Sequence, residues 1–139
     1  MREYFVDTNL FLRYLTNDVP EQAEAVEEVL RRARNEELLL RTSVLVIAEV
    51  VGTLEAYYRL SREDIRDKVL AILITPGLAV EKLDMVALAV NHYADLNVDF
   101  IDAYNALWTK SHGLESVVTF DTKHFSRLPG VKAINPKDV

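Results

Sequence analysis

The sequence predicts an α/β protein, a three-layer sandwich in which a parallel sheet is flanked by helices. Short apolar segments alternate along the chain with longer segments whose apolar residues recur at helical spacing. Strands that alternate with helices in this way are typical of parallel sheets. The chain has 139 residues, four glycines and four prolines, so its connections should be short. It contains no repeat and no linker, and we expect one domain over residues 1–139.

The elements of the first half begin at recognisable signals. Residues 4–6 predict a first strand, and Thr8 is expected to cap the helix that follows it. Pro20 opens a second helix, because proline is favoured in the first helical turn. The apolar segment Leu38–Thr42 predicts a buried strand, and Ser43 is the expected cap of a third helix.

The second half continues the alternation. Ser61 and Asp64 have the spacing of a capping box, which predicts the start of a fourth helix. Gly113 is expected to end the last long helix. The remaining predicted elements are a strand or extended segment over residues 78–83, helices over 84–96 and 99–112, and strands over 116–120 and 131–134.

The composition excludes several functional classes. Sixteen basic and twenty-two acidic residues give a net charge of −6, so any nucleic acid must be bound by a local basic patch or through metal ions. The absence of cysteine rules out disulfides and thiolate metal sites and suits a reducing compartment. No signal peptide and no membrane span are evident, so we expect a cytoplasmic protein.

Two aspartates follow predicted strands directly. Asp7 ends the segment "YFVD", and Asp121 ends "VVTFD". Because ligands of parallel sheets bind at the carboxyl ends of the strands, both residues are candidate site residues. Taken locally, a strand-terminal aspartate is usually the N-cap of a following helix, and nothing local excludes that explanation for either residue.

Two further acids lie within predicted helices. Glu49 is surrounded by apolar residues in "SVLVIAEVVG", which favours a functional role, although an exposed position on an amphipathic helix is the simpler alternative. Asp99 and Asp102 are three residues apart and share a helical face. Asp99 is explained by the helix dipole, whereas Asp102 lies further into the helix, where that explanation is weaker.

Taken together, these acids indicate a metal site. Four carboxylates without a basic partner would repel one another in a partly buried cleft. Oxygen ligands of this kind suit Mg²⁺ or Mn²⁺, and such an ion can activate water and neutralise a phosphoryl transition state. The three histidines lack the spacing of metal ligands, and we assign no chemical role to His124.

The motifs that carry these acids resemble those of the PIN-domain ribonucleases, and the size is closest to the VapC-type toxins of toxin–antitoxin pairs. The resemblance covers residues 6–125 and rests on "FVDTN", "SVLVIAEVV", "DFIDAYNAL" and "VVTFDTKHF". It implies metal-dependent endonucleolytic cleavage of RNA by a homodimer that a cognate antitoxin inhibits. The implied catalytic and metal-binding residues are Asp7, Glu49, Asp102 and Asp121. The implied supporting residues, which would orient carboxylates or water, are Thr8, Asn9, Asp99 and Thr119.

Two other functions remain open on sequence alone. A Mg²⁺-dependent phosphohydrolase acting on small phosphate esters would use the same acids, although no glycine-rich phosphate loop is present. A non-catalytic interaction module would use the acids only as helix caps and docking groups. Cleavage of RNA and of a small phosphate ester, with and without metal, distinguishes these alternatives.

Overall fold

A computed structural model describes residues 1–139, and it confirms the predicted α/β class with parallel strands and flanking helices. All three strand pairings are parallel. The chain divides into two compact units, Met1–Leu83 and Asp84–Val139. The first contains β1 (Arg2–Phe5), α1 (Thr8–Thr16), α2 (Pro20–Arg34), β2 (Leu38–Thr42), α3 (Val44–Ala56), α4 (Arg62–Leu73) and β3 (Leu78–Val80). The second contains α5 (Leu83–Asp95), α6 (Phe100–Ser111), β4 (Ser116–Val118), α7 (Thr122–Phe125), β5 (Lys132–Ile134) and a 3₁₀ turn at Pro136–Asp138.

The sheet of the first unit has the order β1-β2-β3. Tyr4 pairs with Leu40, and Leu40 pairs with Leu78, so β2 is the central strand. Leu38 and Leu40 are buried while Arg41 is exposed, as expected for a strand whose side chains alternate between two faces. The predicted bounds of β2 are confirmed. Since all three strands are parallel, their carboxyl ends lie at one edge. Ser43 and Glu81 directly follow β2 and β3 in the sequence, and Asp7 is the second residue after β1.

The predicted helix caps are mostly correct. The Ser43 hydroxyl accepts a hydrogen bond from the Val46 amide, and Ser61 accepts one from the Asp64 amide. The prediction for Thr8 is wrong, because Thr8 is the first residue of α1 and Asp7 is its N-cap. The Thr8 side chain is buried instead of reaching back to the free amides of the first turn.

The second unit contains a two-stranded parallel sheet in which Ser116 pairs with Lys132. Gly113 ends α6 as predicted, with a φ of 71° that an L side chain rarely adopts. Helix α7 and the 3₁₀ turn were not predicted, since elements of three or four residues are too short to show an apolar period. None of the helices combines the length and the apolar character needed to cross a membrane.

Candidate active site

Asp7 lies at the turn from β1 into α1, and its backbone is extended. Its Oδ1 accepts a hydrogen bond from the Thr8 amide at 2.8 Å, and its side chain is exposed. The local interpretation of Asp7 as a helix cap is therefore confirmed. It does not exclude a second role, because a carboxylate has about four lone-pair positions and this bond uses one of them.

The turn before Asp7 is fixed by two hydrogen bonds to β2. The Val6 amide donates to the Arg41 carbonyl oxygen at 2.8 Å, and the Thr42 hydroxyl donates to the Val6 carbonyl oxygen at 2.9 Å. Thr42 and Val6 are both buried. These bonds extend the β1–β2 pairing to Val6, the residue before Asp7. They therefore fix the backbone position from which the Asp7 side chain projects.

A cavity of about 340 Å³ lies at the carboxyl ends of β2 and β3. Its lining includes Glu81, an acid that sequence reasoning missed, together with Phe5, Arg41, Thr42, Ser43, Ala79 and Val80. Glu81 Oε1 accepts a hydrogen bond from the Val44 amide at 3.1 Å, so this carboxylate contributes to the N-terminal end of α3. Its position directly after β3 is the signal that could have identified it.

Glu49 is exposed on α3, which is the position that the simpler alternative from the sequence predicts. The buried side of the helix is formed by Val46, Val50 and their neighbours. Leu45, one turn before Glu49, is 82% exposed, and Gly52 is exposed as well. Apolar residues around an acid in the sequence therefore did not indicate burial, because α3 carries apolar residues on its solvent side too.

Asp102 lies in the first turn of α6, so the prediction that it lies further into the helix is wrong. Its environment disfavours the charged form. Partial burial raises the pKa of the Asp102 carboxyl above its usual value, and the negative charges of Asp99 and Asp121 raise it further, while His124 opposes them. Asp99 is the N-cap residue of α6 but makes no side-chain capping bond. The second unit thus brings three of the predicted acids close enough to influence one another.

Asp121 is held by groups of its own short helix, α7. Its Oδ1 accepts a hydrogen bond from the His124 amide at 3.2 Å, and Nδ1 of His124 lies 2.8 Å from each carboxylate oxygen. Its own amide donates to the Thr119 hydroxyl at 3.0 Å. The pKa of Asp121 is lowered chiefly by the His124 amide, then by the His124 ring, with a further contribution from the charge of Arg127.

Two residues of this region were missed by sequence reasoning. His124 had been assigned no chemical role, yet it pairs with Asp121, and the spacing of three residues in a short helix was the available signal. Arg127 donates from Nη1 to the Asn97 carbonyl oxygen at 2.9 Å, two residues before Asp99. No pattern in the sequence indicates that contact, which joins residues thirty positions apart.

The predicted residues are thus divided between the units. Asp7, Thr8, Asn9 and Glu49 belong to the first, and Asp99, Asp102, Thr119 and Asp121 belong to the second. Neither unit brings together three or more His, Asp or Glu side chains that could hold a metal ion. The pKa of Asp102 is raised first by burial and then by the charges of Asp99 and Asp121, and a bound cation would neutralise that negative charge.

Comparison with known proteins identifies the family. A model of the PIN domain matches residues 4–131 and so spans both units. The chain belongs to the PIN-domain family. The VapC ribonuclease of Aquifex aeolicus (strain VF5) is 30% identical to this PIN domain over 131 residues, which are 94% of this chain and 95% of that protein. The predicted resemblance is therefore confirmed.

A more distant structure also aligns with this PIN domain. It is the crystal structure of VapBC2 from Rickettsia felis bound to a DNA fragment from their promoter. The alignment covers 96% of this chain and 98% of that one, with 17% identity and a TM-score of 0.37. That likeness is too low to add to the family assignment.

Proposed function

We propose that this PIN domain is a metal-dependent endoribonuclease and the toxin of a toxin–antitoxin pair. The observation that carries the proposal is the 30% identity to a protein named VapC ribonuclease over nearly the whole length of both chains. The four acids that the sequence singled out all lie within the matched residues 4–131. A small-ester phosphohydrolase and a non-catalytic module have no comparable support.

Asp7, Glu49, Asp102 and Asp121 are the proposed catalytic set, acting within one domain that spans residues 1–139. Asp7 and Asp102 are the proposed direct ligands of Mg²⁺ or Mn²⁺, and Asp121 completes the ligand set. Glu49 binds the ion or orients the attacking water. Carboxylate oxygens fit these hard cations, and the elevated pKa of Asp102, caused first by burial and then by neighbouring acids, supports the need for a cation there.

The reaction is attack of water on a phosphodiester bond of RNA. When bound, the cation lowers the pKa of a coordinated water and neutralises the charge that develops on the phosphate. The protein's own contribution is to hold the carboxylates at fixed points. The Thr42–Val6 bond fixes the turn at Asp7, and the Thr119 hydroxyl fixes the backbone of Asp121. Thr8, Asn9 and Asp99 are the further proposed supporting residues.

RNA must be held by local positive charge or through metal ions, because the whole chain carries a net charge of −6. A cleft of about 520 Å³ in the second unit is lined by Lys132 and Lys137, by one acid, Asp138, and by Thr122, the residue after Asp121. The two ammonium groups suit the phosphate backbone of a single strand. We assign this cleft to RNA.

The remaining parts of the proposal concern the cell. A cognate antitoxin protein is the expected inhibitor, the expected assembly is a homodimer, and the expected location is the cytoplasm. Expression without the antitoxin should arrest growth, and expression of the Asp7→Asn variant should not. Sedimentation at micromolar concentration should give the mass of a dimer, and a monomer would remove that part of the proposal.

The decisive experiment is a time course of purified protein on total RNA. Cleavage should require Mg²⁺ or Mn²⁺, stop with EDTA and resume when metal is added back. The Asp7→Asn, Asp102→Asn double variant is the control for contaminating nuclease, and equal cleavage by this variant would refute the assigned site. Hydrolysis of a small chromogenic phosphate without RNA cleavage would favour the phosphohydrolase, and no reaction on either would favour the interaction module.

A further inference from the structure

The imidazole of His124 makes its closest polar contacts with the carboxylate of Asp121. Its Nδ1 lies 2.8 Å from Oδ1 and 2.8 Å from Oδ2. An ionised carboxylate has only acceptors, so the contacting nitrogen must carry the proton and donate it. The His124 ring therefore contacts both carboxylate oxygens of Asp121, a candidate metal ligand.

This contact is separate from the capping of α7. The N-cap bond runs from the backbone amide of His124 to Asp121 Oδ1, and any residue other than proline would supply that amide. The ring is therefore not needed to begin the helix. The side chains of His124 and Asp121 are 45% and 46% exposed, and an ion pair so accessible to water contributes little to stability. Neither folding role accounts for the histidine ring.

The contacts also restrict how Asp121 can bind a cation. Of about four lone-pair positions on the two oxygens, the amide and the ring of His124 use both on Oδ1 and one on Oδ2. The position left is on Oδ2, so Asp121 can offer one oxygen and not both. Hydrogen bonds that fix a ligating carboxylate in this way commonly determine metal affinity.

We infer that His124 is a positioning residue, which holds the Asp121 carboxylate so that Oδ2 alone is presented to the metal ion. The inference rests on the proposed role of Asp121 as a ligand. It extends that role by naming the group that orients it and the oxygen that binds. Because the orienting atom is Nδ1 and not Nε2, the inference distinguishes positioning from proton transfer or phosphate binding by the distal nitrogen.

Two substitutions distinguish the role of Nδ1 from that of Nε2. In His124→Asn the amide nitrogen is as many bonds from Cα as Nδ1 is, so the contact with Asp121 can form again. In His124→Gln the amide nitrogen corresponds to Nε2, and the contact is lost. Asn and Gln are matched in charge and chemistry, and His124→Ala removes both positions. Circular dichroism should show the three variants to be folded, since the pair is exposed.

The measurement is Mn²⁺ affinity by calorimetry, with kcat and KM on RNA as a second readout. His124→Ala and His124→Gln should weaken Mn²⁺ binding by roughly 10- to 100-fold, whereas His124→Asn should stay close to wild type. In an Asp121→Ala background, His124→Ala should have no further effect, because the group it positions is gone. Rescue by Gln and not by Asn, or wild-type affinity in all three variants, would overturn the inference.

The inference and the proposed ribonuclease function fail separately. If wild type binds Mn²⁺ and the variants follow the expected order but no RNA is cleaved, the nuclease proposal is wrong and the positioning role stands. If RNA is cleaved with metal and all His124 variants bind Mn²⁺ like wild type, the nuclease proposal stands and the positioning role is wrong.

Discussion

Thr42 donates its buried hydroxyl to the carbonyl oxygen of Val6 at 2.9 Å, one residue before Asp7. Replacing Thr42 by Val, which has nearly the same shape, leaves that buried carbonyl without this donor. We expect the free energy of unfolding to fall by about 1–3 kcal/mol, the cost of an unsatisfied buried polar group. Urea denaturation followed by circular dichroism measures the change.

The matched control for Thr42 is serine. Thr42→Ser keeps the hydroxyl and loses only a methyl group, so its stability should fall less than that of Thr42→Val. Cleavage of RNA should decline in the valine variant, because the turn that fixes Asp7 loses one of its two bonds to β2. A valine variant as stable and active as the serine variant would show that this bond does not fix the turn.

Substitutions of Asp7 should separate its capping role from its charge. Asparagine caps helices about as well as aspartate, so Asp7→Asn should keep the wild-type free energy of unfolding to within about 0.5 kcal/mol, whereas Asp7→Ala should lose about 1 kcal/mol. Both should reduce RNA cleavage by on the order of a hundredfold or more, because both remove a ligand charge. If RNA cleavage fell only in the destabilised Asp7→Ala variant and not in Asp7→Asn, a direct role of the Asp7 carboxylate would be contradicted.

The pH dependence of stability should differ in sign between Asp102 and Asp121. The pKa of Asp102 is raised in the folded protein by burial and by Asp99 and Asp121, so its ionisation destabilises the fold as pH rises above its unfolded value of about 3.9. The pKa of Asp121 is lowered, chiefly by the His124 amide, so Asp121 stabilises the fold above its unfolded pKa, and that stability is lost as pH falls through the folded one.

Thermal melting in EDTA between about pH 3 and pH 7 tests both signs. At pH 7, Asp102→Asn should melt above wild type and Asp121→Asn below it, and both differences should shrink towards pH 3. The two variants make the same chemical change in the same unit, so each is the control for the other. A shift of the same sign in both would refute the assigned environments.

Metal binding should be visible without any substrate. Millimolar Mg²⁺ or Mn²⁺ should raise the melting temperature of the wild-type protein, since an ion that binds only the folded state stabilises it by mass action. The Asp7→Asn, Asp102→Asn double variant should lose this rise. A rise of equal size in both proteins would indicate cation binding elsewhere on this acidic chain.

The cleft lined by Lys132 and Lys137 should contribute to RNA affinity through charge. Each lysine replaced by alanine should weaken binding and reduce the slope of log affinity against log salt by about one. Filter binding with the cleavage-deficient Asp102→Asn protein measures this without loss of the RNA. Lys68→Ala, which removes the same charge from α4, should leave the slope unchanged, and an equal effect of Lys68 would disprove the assignment of the cleft.

The sequence was most informative where short-range chemistry decides the structure. Leu38–Thr42 forms the strand predicted for it, because a short, continuous apolar segment favours a buried strand. Ser43 and Ser61 cap their helices as predicted, because the capping bond joins residues three apart. The ordered acids identified the family for a similar reason, since each belongs to a motif of a few residues.

Sequence reasoning was wrong or incomplete where contacts between distant residues, or exposure to solvent, determine the structure. The apolar residues around Glu49 favoured a functional role, but Glu49 and the neighbouring Leu45 are both exposed, and a sequence does not show which apolar residues stay in water. Arg127 binds the carbonyl oxygen of Asn97 across thirty residues, which no local pattern encodes. The spacing of the histidines does not indicate a role for His124, because its partner is the carboxylate at the N-cap of its own four-residue helix.

Asp7 and Asp121 each begin a helix as well as carrying a candidate catalytic carboxylate. Aspartate and asparagine are interchangeable as caps, and their codons differ by a single nucleotide. One point mutation can therefore silence the proposed nuclease and leave a folded protein.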